Sequence, residues 1–168
     1  MLTLPFYDDP IEWLSRFNTT EFPVLLDAGG HERGRYDIIA ACPTESVLLY
    51  SDRLEHHSKN GLNIAPPEQF FETIKHMRQP FDRASEVPFI SGLIGFIGYD
   101  IAHVVEAIER RDDKPAPDLP VACLRRYEWA IIQDREQKCS YFTTTDVNLS
   151  GELEKRTANR RDDDPISA

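Results

Sequence analysis

Three stretches of the chain place apolar residues at the spacing of an amphipathic helix. Ile11, Leu14 and Phe17 share one face of residues 8–17, where Pro10 suits the first helical turn. Residues 102–111 have helical character as well. The clearest stripe follows Pro66-Pro67 and ends before Gln79-Pro80, and its members are Phe70, Phe71, Ile74 and Met77. The pattern therefore predicts three helices.

The segments between these helices are short, apolar and typical of strands. Candidate strands are residues 22–26, 36–42, 46–51, 121–133 and 138–145. Asn60-Gly61 is a hairpin turn signal, and residues 134–137 form a loop between two of the strands. Because loops this short cannot make parallel crossovers, we expect an α+β fold in which helices flank antiparallel sheets or a sandwich of such sheets.

The stretch GLIGFIGYD raises the question of a nucleotide-binding loop. Its glycines, Gly92, Gly95 and Gly98, are three residues apart, whereas a dinucleotide fingerprint needs its first two glycines two apart. A P-loop would need a lysine after the glycines, and Tyr99-Asp100 stands there instead. Bulky apolar residues between the glycines indicate a strand that bends or is approached closely by other backbone. We therefore interpret this motif as structural, with Asp100 as a cap for the next helix.

Length and charge narrow the class of protein. The 168 residues form one expected domain over residues 1–145, followed by a polar linker or tail over residues 146–168. A net charge of -10 makes nucleic acid an unexpected partner, because such binding needs a basic surface. No stretch approaches the about 20 apolar residues of a membrane span, and no secretory signal is visible. Three scattered cysteines fit a reducing compartment, so we expect a cytoplasmic protein.

Residues that could carry chemistry are few, and spacing alone assigns none of them a catalytic role. His31 and Glu32, with Arg33 and Arg35, could hold a small anion or an amino acid on a glycine-rich loop, although a solvated polar loop explains them as well. His103 and Glu106 stand three apart on a predicted helix, where a surface pair is the commoner interpretation.

The histidine pair His56-His57 does not predict a metal site. Adjacent residues of a strand point to opposite faces of a sheet, so the two rings could not easily share an ion. We therefore predict neither metal ligands nor catalytic residues in this chain.

Three blocks, in matching order and spacing, resemble component I of the anthranilate and aminodeoxychorismate synthases. Phe89 to Asp100 resembles the glycine signature P-F-x-G-G-x-x-G-x-x-G-Y-D of that family. Arg35-Tyr36-Asp37-Ile38, with the later Pro43, resembles the R-F-D-I segment of its aminodeoxychorismate branch, where anthranilate synthases tend to have R-Y-S. The third block is Pro117-Asp118-Leu119-Pro120 with Tyr127-Glu128-Trp129-Ala130. The resemblance covers roughly residues 20–150.

The resemblance implies a role in chorismate chemistry. It implies synthesis of 4-amino-4-deoxychorismate for 4-aminobenzoate and folate, from chorismate and the ammonia that a glutamine amidotransferase partner releases. In the family, the chorismate site and the Mg²⁺ ligands lie in a C-terminal catalytic domain that this chain does not include. We therefore expect no catalysis from the chain alone, and no cofactor in it, with Mg²⁺ required by a full-length enzyme.

The resemblance also implies a tryptophan-type pocket in the N-terminal region. The matching positions are Ala28, Arg33, Gly34, Arg35 and Tyr36, and the family usually has a serine near the position of Ala28. Two alternatives stay open. One is the N-terminal domain of an anthranilate synthase with tryptophan feedback, and the other is a stand-alone module that binds a small molecule or acts as a scaffold. An aromatic face made to pack on the catalytic domain would leave the isolated chain prone to self-association.

Overall fold

The computed structural model describes residues 2–29, 34–78, 86–105 and 118–146. The strands are β1 Leu2–Leu4, β2 Val24–Leu26, β3 Tyr36–Ala40, β4 Glu45–Leu49, β5 Leu54–Ser58, β6 Gly61–Ala65, β7 Gly92–Ile97, β8 Ala122–Tyr127, β9 Trp129–Asp134 and β10 Cys139–Thr144. The helices are α1 Ile11–Leu14, α2 Phe70–Met77 and α3 Ile101–Val105, with 3₁₀ turns at Thr19–Glu21 and Pro67–Gln69.

The strands form two five-stranded sheets, in the orders β1-β10-β9-β3-β2 and β6-β5-β4-β8-β7. Every pairing between the described strands is antiparallel. The α+β class with antiparallel sheets is therefore confirmed. The chain divides into two compact units, the first formed from Met1–Cys42, Ala84–Ser91 and Glu128–Ala168 and the second from Pro43–Arg83 and Gly92–Tyr127.

The first unit packs helix α1 against the sheet that contains β3, β9 and β10. Its buried cluster is Trp13, Ile39, Ala41, Trp129, Ile131 and Phe142. Trp13 is fully buried and meets the ring of Tyr7 edge to face, with 5.0 Å between ring centroids. Complete burial of one such large side chain stabilises a fold by about 1.5–3 kcal/mol. Leu14 and Phe17 of the first predicted stripe pack against this core, but Ile11 is 57% exposed, so its place in the stripe was wrong. Helix α1 is also only one turn long, shorter than the predicted helix over residues 8–17.

The second unit packs helix α2 against its own sheet. Its buried cluster is Val47, Leu49, Leu54, Phe70, Met77 and Ala122. Phe70 and Met77, seven positions apart, lie on the same face of α2, with Ile74 packed between them at the edge of the cluster. Phe71 is 55% exposed because its position is turned away from that face, so its place in the predicted stripe was wrong.

The predicted strand over residues 121–133 is two strands that belong to different sheets. β8 ends at Tyr127 and pairs with β4 and β7, whereas β9 begins at Trp129 and pairs with β3 and β10. Local pattern alone could not locate this break, because both segments are apolar and only their pairing partners differ. Strand β1 was not predicted either; its three residues are held by antiparallel pairing with β10.

The two predicted hairpin connections are present, although β2, β3 and β4 are shorter than predicted or shifted from the predicted strands 22–26, 36–42 and 46–51. Lys59-Asn60 separates β5 from β6 at the predicted Asn-Gly turn, and residues 135–138 separate β9 from β10. Helix α3 is described as far as Val105, so most of the predicted helix over residues 102–111 lies outside the described residues. The predicted tail after Asp146 also lies outside them, and the boundary at residue 145 stays a prediction.

Candidate ligand-binding site

The candidate positions gather at one end of the hairpin formed by β2 and β3. Ala28 follows β2 by two residues, Gly34 and Arg35 come just before β3, and Tyr36 is the first residue of β3. A Cβ atom placed on Gly34 would lie 2.8 Å from the Cβ of Ala28 and 3.0 Å from its carbonyl oxygen. Only glycine therefore allows the two segments to approach this closely. Arg33 lies outside the described residues, as do His31 and Glu32.

Arg35 is engaged by an acidic residue that the sequence did not single out. Its Nε and Nη2 donate to Oδ2 of Asp134 over 3.0 Å and 2.7 Å, and Nε also lies 3.3 Å from Glu136. The Asp134 side chain is only 2% exposed, whereas that of Arg35 is 37% exposed. The guanidinium also lies over the ring of Tyr36, with 4.9 Å to the ring centroid. Arg35 therefore already forms a bidentate ion pair with Asp134. It would have to leave this pair in order to bind a ligand carboxylate.

Hydrogen bonds keep Asp134 ionised. Burial by itself would raise the pKa of this carboxyl, but donors from Arg35 and from the amides of Gln137 and Glu136 outweigh burial and hold the pKa below its ordinary value. The hydrogen bond to Asp134 in turn raises the pKa of Arg35. The same two amides, at 3.0 Å and 2.9 Å from Oδ1 of Asp134, fix the turn that leads from β9 into β10.

A second ion pair lies beneath the candidate positions. Asp37 is fully buried and pairs with Arg135, whose Nε is 2.9 Å from Oδ2 of Asp37. The amide of Ala28 donates to Oδ1 of Asp37 over 2.9 Å, and the Gln133 amide group donates to Oδ2 over 3.1 Å. With four donor contacts, the buried carboxylate is satisfied by its surroundings, as a buried charge must be.

The loop after β2 also contacts Arg135. Oδ1 of Asp27 accepts a hydrogen bond from the amide of Gly29 over 2.8 Å and lies 3.3 Å from Nη2 of Arg135. Within the described ranges, the cluster pairs two arginines, Arg35 and Arg135, with carboxylates from Asp27, Asp37, Asp134 and Glu136. Since the acids outnumber the bases, these residues offer no spare positive charge to a carboxylate ligand.

Sequence reasoning found the positions of this cluster only in part. Asp37 lay inside a motif quoted for the family resemblance but was assigned no pairing role, and Asp27 was not singled out. Asp134 and Arg135 were assigned to a hairpin loop, because their charge and position suggest solvent. Their partners lie about 100 positions away in the chain, and no local pattern shows such a pairing.

The glycine stretch is a strand and not a loop. A Cβ atom on Gly95 would collide with the carbonyl oxygen of Cys123 on β8, and one on Gly98 would lie 2.7 Å from the carbonyl oxygen of Val121. Gly92 has a φ of 148°, which side chains disfavour. The interpretation as a closely approached strand is thereby confirmed. After it, Tyr99 is 96% exposed, and the carbonyl oxygen of Asp100 accepts the amide of His103 over 3.1 Å at the start of α3.

The other candidate side chains are dispersed. His56 Nε2 lies 3.0 Å from Glu45 Oε2, and His57 Nε2 lies 3.6 Å from Glu55 Oε2, so the two rings have different partners. Glu106 lies outside the described residues, and its predicted pairing with His103 stays a prediction. Among the residues that the structure describes, no group of three or more His, Cys, Asp and Glu side chains could hold a metal ion. No helix in the described part of the chain has the length and hydropathy to cross a membrane.

Comparison with known proteins found two curated relatives, and both are named as component 1 of a synthase. No protein-family model matches the chain. It is 26% identical over 144 residues to the "Aminodeoxychorismate synthase component 1" of Klebsiella aerogenes, covering 82% of this chain and 32% of the relative. It is 27% identical over 131 residues to the "Anthranilate synthase component 1" of Lactococcus lactis subsp. lactis. That match covers 77% of this chain and 28% of the relative. The chain thus spans about a third of the length of the curated relatives it matches.

A solved structure shares the fold. The crystal structure of anthranilate synthase component I from Streptococcus pneumoniae matches with a TM-score of 0.59 at 21% identity, over 98% of this chain and 38% of that one. The sequence blocks and the two curated relatives agree in their similarity to component I of the anthranilate and aminodeoxychorismate synthases, and the chain shares the fold of a solved component I.

Proposed function

We propose that the chain forms the N-terminal region of component I of an aminodeoxychorismate synthase. The whole enzyme would convert chorismate and glutamine-derived ammonia to 4-amino-4-deoxychorismate, the precursor of 4-aminobenzoate and folate. The proposal is supported by the partial coverage of both curated relatives, which is about a third of each. In the whole protein, this region would adjoin a catalytic domain that binds chorismate and Mg²⁺, and a glutamine amidotransferase would supply ammonia.

Asp37 is the observation that favours the aminodeoxychorismate product. It occupies the position at which the resemblance separates an R-F-D-I branch from an R-Y-S branch. In the structure this aspartate neutralises Arg135 and accepts the amide of Ala28. A serine at this position could not neutralise the buried guanidinium, so Asp37 and Arg135 form one charge-matched unit. Anthranilate formation is the second candidate, favoured by the relative from L. lactis and by the shared fold.

A role in support of the fold suits the described residues better than a catalytic role. The ionised side chains at the candidate site are paired with one another. The chain alone would therefore form neither product, and it would act by shaping the tryptophan-type pocket and by packing on the catalytic domain. The exposed side chains of Phe96, Ile97 and Tyr99 on and after β7 are available for such packing.

The experiment that tests this function starts from the gene. The reading frame should continue beyond codon 168 for hundreds of codons, and the protein it encodes should be assayed with chorismate, ammonia and Mg²⁺. Accumulation of aminodeoxychorismate would support the proposal, and anthranilate would support the second candidate. The 168-residue chain serves as the matched control and should form neither. Turnover by that chain alone would contradict the assignment of chemistry to the missing region.

Tryptophan binding is the second testable part of the proposal. We propose that the isolated chain binds tryptophan weakly at most, because Ala28 offers no side-chain hydrogen bond and Arg35 is held by Asp134. A ligand present at 100 times its dissociation constant would stabilise the chain by about 2.7 kcal/mol, a shift that a melting curve detects readily. The melting temperature should therefore change little with millimolar tryptophan. A clear rise would show that the pocket positions bind the amino acid without a serine.

A further inference from the structure

The hairpin between β5 and β6 contains the dipeptide Asn60-Gly61 at its turn. Ser58 pairs with Gly61 across the turn, and Lys59 and Asn60 form the loop between them. Asn60 and Gly61 are both exposed, and a methyl group added to Gly61 would have no atom within 4 Å. Solvent therefore has access to the peptide bond that links these two residues.

An asparagine that precedes a glycine has a reactivity that other asparagines lack. The backbone nitrogen of the following residue can attack Cγ of the asparagine side chain, because the two atoms close an unstrained succinimide ring. A side chain on the following residue obstructs this attack, and glycine has none. The asparagines of the sequence are Asn18, Asn60, Asn63, Asn148 and Asn159, and a glycine follows only Asn60.

The described structure leaves the Asn60 side chain free to react. The backbone amide of Asn60 donates to Oγ of Ser58 over 3.2 Å, whereas its side-chain amide has no hydrogen bond to any of the described residues. Ring closure rotates the peptide unit after Asn60, and Gly61 can follow because glycine changes φ at little cost. Asn63, by contrast, lies inside β6 and precedes the β-branched Ile64. Sequence and structure therefore both select Asn60.

We propose that Asn60 is a site of spontaneous covalent modification, for which the chain itself supplies the nucleophile. The nitrogen of Gly61 loses its proton and bonds to Cγ of Asn60, the bond from Cγ to the side-chain nitrogen breaks, and ammonia leaves. Water then opens the succinimide ring, and no oxidant or reductant is needed. Addition of water at Cγ gives aspartate with a normal backbone. Addition at the backbone carbonyl gives isoaspartate, whose main chain runs through the side-chain carbon.

The two products have different effects on the sheet. Aspartate before glycine is itself a favourable hairpin pair, so the first product keeps the turn. Isoaspartate lengthens the main chain within the loop, and because loop length fixes the register of a hairpin, Ser58 and Gly61 can no longer pair as they do. Strand β6 pairs with β5 alone at the edge of its sheet, and four of its five residues are exposed. The isoaspartate product therefore loosens β6.

Strand β5 should stay in place when β6 loosens. It pairs with β4 on its other side, and its Leu54 lies in the buried cluster of the second unit. Ala65 of β6 is opposite Leu54 and packs at the edge of that cluster. The modification thus acts on the edge strand and leaves the strands at the centre of the sheet paired.

Ageing of the complete 168-residue chain at mildly alkaline pH tests the proposal. Cleavage after glutamate at acidic pH, where the ring closes slowly, gives a peptide of residues 56–68 that contains both Asn60 and Asn63. Fragment masses should locate the exchange of an amide group for a carboxylic acid at Asn60, with Asn63 unchanged as the internal control. Gly61→Ala should slow the exchange at least about tenfold, because the added methyl group obstructs the attacking nitrogen.

A comparison with the unfolded chain isolates the contribution of the fold. In concentrated urea the same sequence reacts without its hairpin. The rate for the folded chain should lie within about tenfold of the rate in urea, because exposed loop tips are poorly restrained.

Hydrogen exchange tests the effect on β6. Aged chain that has gained one negative charge is separated by ion exchange and compared with Asn60→Asp, which has the same charge and a normal backbone. The amides of β6 should exchange faster in the aged chain, because a loosened strand opens more often. In Asn60→Asp they should exchange as in the parent.

Three results would overturn the proposal. A folded chain that keeps the Asn60 amide while the unfolded chain loses it would show that the turn protects the site. An unchanged rate in Gly61→Ala, or equal reaction at Asn63, would show that the glycine does not direct the reaction. Equal hydrogen exchange of β6 in the aged chain and in Asn60→Asp would contradict the loosening of the strand. These results are independent of the reaction that the whole enzyme catalyses.

Discussion

The fully buried carboxylate of Asp37 lies 2.9 Å from Nε of Arg135, a residue nearly 100 positions later in the chain. The pair joins the start of β3 to the turn after β9 and lies directly beneath the candidate ligand positions. Around it, Ala28 and Gln133 donate to the same carboxylate. This arrangement makes the candidate site depend on charge pairing inside the first unit.

Removal of the Asp37 carboxylate should destabilise the chain strongly. Asp37→Ala leaves the side chain of Arg135, only 11% exposed, without its main partner, and loss of one member of a buried pair costs about 3–5 kcal/mol. Chemical denaturation measures the change. Asp52→Ala is the control, because the Asp52 side chain is 70% exposed in its pair with Arg53 and should contribute about 0–1 kcal/mol. Equal losses for the two variants would contradict a special role for Asp37.

Stability should depend on pH through Asp134. Hydrogen bonds from Arg35 and from backbone amides overcome the opposing effect of burial and lower the pKa of this carboxyl in the folded state. A group with a lowered folded pKa contributes stability that is present above its unfolded pKa, about 3.9 for Asp, and is lost as the pH falls toward the folded value. The difference in unfolding free energy between the parent and Asp134→Asn should therefore be largest at neutral pH and shrink below about pH 4. A difference that stayed constant as the pH fell well below 4 would argue against the assignment.

Substitution of Gly95 should disrupt the second unit. Gly95→Ala would drive a methyl group into the carbonyl of Cys123 on β8, and backbone on an inner strand cannot move aside without loss of pairing. We expect a loss of about 3 kcal/mol or more, at the upper end of overpacking costs. Gly61→Ala separates this effect from backbone strain, because Gly61 has a φ of 103° but no atom within 4 Å of the added methyl. That control should cost about 1 kcal/mol, the usual size of a strained backbone position.

The Cys123 thiol should be protected from reagents in the folded chain. Burial raises its pKa, although Arg125 acts in the opposite direction, and only 5% of the residue is exposed. A disulfide reagent reacts with the thiolate form of cysteine. It should therefore label Cys123 more slowly than the half-buried Cys139. Cys123→Ala should leave the fast phase of labelling unchanged and remove one thiol from the total found after denaturation. Loss of the fast phase in that variant would contradict the prediction.

Much of the fold could be predicted from local pattern. The stripe of Phe70, Ile74 and Met77 identified α2 because helical periodicity brings these positions to one face. The Asn60-Gly61 pair identified a hairpin because such a turn needs permissive backbone, and Gly61 indeed has positive φ. The glycine stretch was identified as a strand by its spacing and its bulky apolar residues. In each case the informative pattern lies within a few residues of the sequence.

The pairing of distant residues set the rest of the structure. A continuous apolar run over residues 121–133 does not reveal that its halves join different sheets at Glu128, because strand pairing depends on which partner is present. Asp134 and Arg135 are typical loop residues by composition, yet each is the buried or nearly buried half of an ion pair with the start of β3. The sequence by itself determined the α+β class, most of the elements and, through its motifs, the resemblance to component I of the chorismate-utilising synthases. Only the tertiary structure decided which charges meet at the candidate site, because charge pairing over about 100 residues depends on the fold and leaves no periodic signal in the chain.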